Sequence, residues 1–136
     1  MIRLHDVSFG FAGTDGGAVI RGANLAIADG EWVAIAGGNG SGKTTLCRLV
    51  AGIERPASGA VLVDGADPFL RRLAPAVSPA VGIAFQNPDS QFMTSSAERE
   101  IAFGMENRRM EVPAMESRLS RAAEAFRLAD HLRRNP

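Results

Sequence analysis

A chain of 136 residues with 46 % hydrophobic and 22 % charged residues has room for one compact domain of ordinary globular composition. Its formal net charge is zero, which gives no basis for a nucleic-acid partner held on a basic surface. No apolar run approaches the ~20 residues that cross a bilayer, the start Met1-Ile2-Arg3-Leu4-His5-Asp6 lacks the apolar core of a secretory signal, and the single cysteine, Cys47, excludes an internal disulfide and fits a cytosolic setting.

In chain order, residues 2–9 and 19–28 read as strands, because Ile2 and Leu4, then Leu25 and Ile27, alternate with polar neighbours. Ala12-Gly13-Thr14-Asp15-Gly16-Gly17 between them is a turn-rich link suited to an antiparallel pair. Asp29-Gly30 turns the chain into Trp32-Val33-Ala34-Ile35-Ala36, a short apolar run expected to be a buried strand. A glycine-rich stretch follows, and Thr44 to Val50 reads as a helix ending at Ala51-Gly52 with glycine as the cap. Ala60-Val61-Leu62-Val63-Asp64 is the next strand. Pro68, Pro75 and Pro79 keep any helix over 66–80 short, and Val81-Gly82-Ile83-Ala84-Phe85 is expected to be a second buried strand. The character then turns helical. Ser95-Ser96-Ala97-Glu98 fits a capping box. A further helix starts near Pro113, with Met115, Leu119, Ala122, Ala123 and Phe126 on its apolar face.

The stretch Gly37-Gly38-Asn39-Gly40-Ser41-Gly42-Lys43-Thr44-Thr45 matches the phosphate-binding pattern G-x-x-x-x-G-K-[ST] in full, between an expected strand and an expected helix. Each residue type has a physical reason to be there. Glycines 37, 40 and 42 admit backbone angles and close approach that a side chain blocks. The successive N–H groups from Asn39 through Gly40, Ser41, Gly42, Lys43 and Thr44 to Thr45 suit a β-phosphate at a helix N-terminus. Lys43 brings a compact positive charge toward the β- and γ-phosphates. The Thr44 hydroxyl suits Mg²⁺, and Thr45 can reach the α-phosphate. Cys47, one turn further along, is expected to be a small buried thiol packed on the sheet.

Taken together, these segments resemble the ATP-binding subunits of ABC transporters, over essentially the whole chain. Leu4-His5-Asp6-Val7-Ser8-Phe9-Gly10-Phe11 looks like the family's first strand. The resemblance implies that Phe11 stacks on adenine, with Phe9 as a near competitor. Ala60-Val61-Leu62-Val63-Asp64-Gly65 resembles the family's G-x-V-x-V-D-G hairpin. It is not read as the Asp-bearing Mg²⁺ strand of such ATPases, because it follows the glycine loop too closely and no glutamate follows Asp64. Gln86 matches the family's Q-loop glutamine, which implies contact with Mg²⁺ and the attacking water and sensing of a membrane partner. Gln86-Asn87-Pro88-Asp89-Ser90-Gln91, with Ala102-Phe103-Gly104-Met105-Glu106-Asn107, resembles the energy-coupling-factor subgroup, including cobalt-type importer ATPases.

What the resemblance implies is an α/β fold. It consists of a P-loop NTPase core with an antiparallel β subdomain over 1–94, and the start of an ABC-type helical subdomain over 95–136. Lys43 and Gln86 are the implied catalytic residues, Thr44 and Gln86 the implied Mg²⁺ contacts, and ATP and Mg²⁺ the implied cofactors. The implied partners are a second ATPase subunit and a membrane coupling subunit, with the protein peripheral on the cytoplasmic face of the membrane. The family's L-S-G-G-Q signature, its Asp-Glu pair at the end of an apolar strand, its D-loop and its switch histidine have no match here, so the chain is expected to be the N-terminal half of an ATPase. His131 falls in the wrong part of the pattern and is expected on a helix surface, as His5 is on a strand surface. Two other classes stay open. One is a small P-loop kinase, with Arg71-Arg72 or Arg108-Arg109 supplying charge. The other is a half-domain that binds nucleotide or a partner subunit without turnover.

Overall fold

The computed structural model describes residues 1–11, 17–72, 81–87 and 91–136. The chain forms two compact units, Met1–Ile83 and Ala84–Pro136. Of the sequence expectations, most of the link over 12–17 and most of the proline-rich stretch over 66–80 lie outside the described residues.

The first unit is built on a three-stranded antiparallel sheet. Its strands are β1 (Ile2–Phe9), β2 (Ile20–Ile27) and β3 (Ser58–Val63), in the order β2-β1-β3. All three lie close to the expected positions. Ile2 stands opposite Ile27 on one side and Val63 on the other. The central strand changes phase midway: Leu4 faces the core from an even position, whereas Val7 and Phe9 do so from odd ones. A register shift lies between Leu4 and Val7 on the β2 side and between His5 and Ser8 on the β3 side. Asp6 takes up the change with φ 47°, the local kink of a bulge. Its N–H, displaced from the ladder, donates to Asn24 Oδ1 at 3.0 Å. Gly59 lies across from this kink with φ 80°. A Cβ there would stand 2.3 Å from Asp6 O and 2.4 Å from His5 O. Only glycine fits so close a backbone approach.

One face of the sheet carries the helix α1 (Lys43–Val50). Thr45 and Leu49, one turn apart, are its buried residues, and Leu46 and Val50 flank them. Leu49 joins Leu4, Val7, Phe9, Ile20 and Val61 in the core of this unit. The helix ends as expected: Ala51 is the C-cap, and Gly52 follows with φ 70°. Cys47 was expected to be buried and is exposed. It follows Thr45 by two residues, which puts it on the far side of the helix from the Thr45–Leu49 stripe.

Two expected strands do not form. Residues 32–36 make no ladder, Trp32 is 98 % exposed, and Val33 and Ile35 are also exposed. Residues 81–85 make none either, with Val81 and Ile83 half-buried and Phe85 exposed. The physical reason is pairing: a strand exists only against a neighbour, and among the described residues neither segment has a strand beside it, the sheet consisting of β1, β2 and β3.

The second unit holds α2 (Ala97–Glu106) and α3 (Val112–Ala125), packed on each other, and a single tight helical turn at Ala129–His131. The start of α2 differs by one residue from the expected capping box. Ser96 is the N-cap, accepting from Arg99 N at 3.4 Å. The reaching glutamate is Glu100, whose Oε2 accepts from Met93 N at 3.1 Å, Thr94 N at 2.9 Å and Thr94 Oγ1 at 2.9 Å. Led by the Thr94 hydroxyl, these donors hold the Glu100 carboxyl below its ordinary pKa. The first free N–H groups of α2, those of Ala97 and Glu98, donate to Arg134 O at 3.0 Å and Leu132 O at 2.9 Å. Pro113 sits in the first turn of α3, as expected. On its apolar face Ala123 is buried and Met115, Leu119 and Ala122 half-buried, while Phe126 at the C-cap is exposed. His5 and His131 are both exposed. Among the described residues no helix is long and apolar enough to cross a membrane.

Candidate functional site

The glycine loop enters α1 through Gly42, the N-cap, with φ 92°. A Cβ at Gly42 would come within 3.2 Å of both Val19 Cγ1 and Val19 O. Glycine therefore lets the loop lie against the chain just before β2, which is fixed in turn by Val19 N donating to Phe9 O at 2.7 Å. The first intrahelical bond runs from Leu46 N to Gly42 O at 2.8 Å. No side chain caps the helix, and no acidic residue stands in its first turn. The N–H groups that a helix start leaves open thus meet neither a carboxylate nor a hydroxyl cap of the helix's own. The positive end of the helix dipole points the same way.

Lys43 folds back over this mouth. Its Nζ donates to Gly38 O at 2.8 Å and Gly37 O at 2.9 Å, with a long contact to Ser41 Oγ at 3.5 Å. Two of its three protons are firmly placed, and the ammonium is braced against the loop beside the open N–H groups. The arrangement suits an anion of several oxygens, bound by backbone amides on one side and a point charge on the other.

An open cleft of ≈ 250 Å³ lies here, lined by Phe11, Val19 and residues 40–45. It brings together Phe11, Gly40, Ser41, Gly42, Lys43, Thr44 and Thr45. Phe11 is 41 % exposed, and its ring meets Phe9 edge to face at 5.0 Å between centroids. Phe9 is core, so the aromatic face turned to the cleft is that of Phe11. Thr44 is exposed and offers a hard hydroxyl oxygen of the kind Mg²⁺ takes. Thr45 is only 7 % exposed and is the buried polar residue of the unit. Asn39 is exposed in the turn before the cleft and is not part of its lining. Gln86 belongs to the second unit, where it is exposed in the segment 81–87. Asp64 lies outside the cleft lining: it closes β3 with φ 51°, donates its N–H to Met1 O at 2.9 Å, and its carboxylate holds the Met1 ammonium. Among the described residues no three His, Cys, Asp or Glu side chains gather into a metal-binding group.

Sequence reasoning missed Val19 as a wall of the cleft. Its one signal is its place at the mouth of β2, and that becomes informative only with the β1–β2 register in hand.

A phosphate-type loop feeding α1 beside a small antiparallel sheet defines the N-terminal region of a P-loop NTPase. The family model described as "ABC transporter" matches residues 20–136, and the chain belongs to that family. Several curated relatives are energy-coupling factor transporter ATP-binding proteins. The chain is 35 % identical over 136 residues to the energy-coupling factor transporter ATP-binding protein EcfA1 of Mycoplasmopsis synoviae, covering all of this chain and 51 % of that protein. It is 38 % identical to EcfA of Methanosarcina acetivorans over all of this chain and 49 % of that protein. Among solved structures, cbiO1 from Clostridium perfringens, described as part of the ABC transporter complex cbiONQ, superposes with a TM-score of 0.75. That match has 27 % identity and covers 98 % of this chain and 53 % of that one. A dimeric ATP-binding cassette in a post-hydrolysis state bound to ADP and Pi shares the fold, with a TM-score of 0.77 at 20 % identity. The chain spans about half the length of the curated relatives it matches.

Proposed function

We propose that this chain is the ATP-binding portion of a transport ATPase of the energy-coupling-factor type. In that reading residues 1–94 are the nucleotide-binding core and 95–136 open the helical subdomain. The observation that carries it is the meeting of an uncapped, carboxylate-free α1 N-terminus with the braced Lys43 ammonium, beside the exposed Phe11 ring. The N–H groups of residues 39–45 hold the phosphate chain, and the Phe11 face takes the base. Lys43 offsets charge on the β- and γ-phosphates. The Thr44 hydroxyl is an oxygen ligand for Mg²⁺, and the Gln86 carboxamide orients water and contacts the ion. Mg²⁺, when bound, neutralises the charge that develops between the β- and γ-phosphates.

The longer protein that contains these residues couples hydrolysis to import of a micronutrient, a vitamin or a cobalt- or nickel-type ion. It works with a second ATPase subunit and a membrane coupling subunit, on the cytoplasmic face of the membrane. The 136 residues alone bind nucleotide without steady turnover. They carry no L-S-G-G-Q signature and no apolar strand ending in an Asp-Glu pair to orient the ion and polarise water.

The test is Lys43→Ala in the longer protein. ATP turnover is expected to fall by about 10²–10³-fold, the usual cost of removing one pre-placed stabiliser of transition-state charge, with an unchanged circular dichroism spectrum. Turnover at the unsubstituted level would overturn the reading. Turnover by the 136-residue chain that Lys43→Ala abolishes would overturn the claim that the chain only binds.

A further inference from the structure

Gln86 is exposed, so packing does not fix the orientation of its peptide. One nearby side chain does. Gln91 Nε2 donates to Asn87 O at 3.1 Å and makes a longer contact to Phe85 O at 3.5 Å. These are the carbonyls on either side of Gln86. A carboxamide nitrogen carries two N–H donors, and this one lies within reach of both carbonyls, the nearer being that of Asn87. Gln91 is itself half-buried and close in sequence to a fixed point. Two residues later, Met93 and Thr94 are tied by three hydrogen bonds to Glu100 on α2. The start of α2 is tied again, through Ala97 and Glu98, to the carbonyls of Arg134 and Leu132. The backbone around Gln86 is thereby referred, through Gln91, to the helix of its own unit.

We propose that Gln91 is a positioning residue for Gln86: its side-chain amide bridges the carbonyls of Phe85 and Asn87 and sets the direction in which the Gln86 carboxamide projects. The proposal rests on the reading of Gln86 as the group that meets ion and water. Loss of the bridge leaves that carboxamide present but free to swing, and small misplacements of a reacting group are costly in rate.

The test is Gln91→Glu in the longer protein, a change of equal size that removes both donors and sets a carboxylate against two carbonyls. Gln86→Ala and the double variant complete a cycle. The expected result for Gln91→Glu is a fall in kcat of about tenfold with KM for ATP within about twofold. Amide hydrogen exchange is expected to quicken over residues 85–87, and the double variant should be no slower than Gln86→Ala. Gln91→Lys, which keeps a donor, should recover part of the loss. Independent, multiplying losses in the double variant would overturn the proposal. So would unchanged exchange over 85–87, or unchanged turnover in Gln91→Glu while Gln86→Ala is impaired. Full turnover in Gln86→Ala would instead overturn the reading of Gln86 itself, and the proposal with it.

Discussion

Single backbone positions decide how the first unit is assembled. The central strand runs I-R-L-H-D-V-S-F, with apolar residues at even positions first and odd positions afterwards. A regular strand cannot bury both sets on one face. The structure resolves this with the kink at Asp6, and the kink requires Gly59 opposite. Gly59→Ala should therefore destabilise the unit by at least ~2 kcal/mol, since the new Cβ meets backbone rather than a movable side chain; chemical denaturation measures it, and a midpoint within error of the parent would contradict the account. The phase change is visible in the sequence, but the alternation of Ile2 and Leu4 that marks the strand does not reveal it. The glycine loop was legible residue by residue, because phosphate chemistry constrains residue type at fixed spacing. Cys47 was not, because helical position and burial separate wherever a helix packs on one side only.

At the scale of elements, the clearest prediction concerns the start of α2. Glu100 is held below its ordinary pKa, first by the Thr94 hydroxyl and then by the Met93 and Thr94 amides. A lowered folded-state pKa means that the stabilisation is present above the unfolded value and is lost as pH falls through the folded one. In acid, below the ordinary glutamate range, the α2 amides should lose hydrogen-exchange protection in the parent protein. Glu100→Gln should be less protected at neutral pH and show no such acid step. An identical acid step in both proteins would contradict this. The helices themselves were legible, α2 from its serine cap and α3 from Pro113 and its apolar stripe. Which serine caps and which glutamate reaches back were not: Ser95-Glu98 and Ser96-Arg99 differ only by where the first turn begins. Gln91 closes the segment that resembles the energy-coupling-factor subgroup, but its contact with the Phe85 and Asn87 carbonyls could be found only when the turn is seen.

At the scale of the whole molecule, residues 32–36 and 81–85 mark where sequence reading and structure part. Their apolar character signals burial, but the signal does not say against what. Among the described residues the sheet consists of β1, β2 and β3 and gives them no partner strand, and Trp32 stands in solvent. Trp32 is the sole tryptophan, so its emission should be that of a solvated indole, readily quenched by acrylamide, in the 136-residue chain. A blue-shifted, protected indole would contradict this. The family was legible because the motifs run along the entire chain. The cleft lined by Phe11, Val19 and residues 40–45 lies within the first unit.

The central claim is that the loop before α1 is a nucleotide phosphate site. Calorimetric titration of the protein with ATP, ADP and adenosine, each in the presence of Mg²⁺, tests it most directly. The account predicts binding of ATP and ADP, no measurable binding of adenosine, and loss of the nucleotide signal in Lys43→Ala with the fold intact. Equal binding of adenosine, or ATP binding that survives Lys43→Ala unchanged, would contradict it.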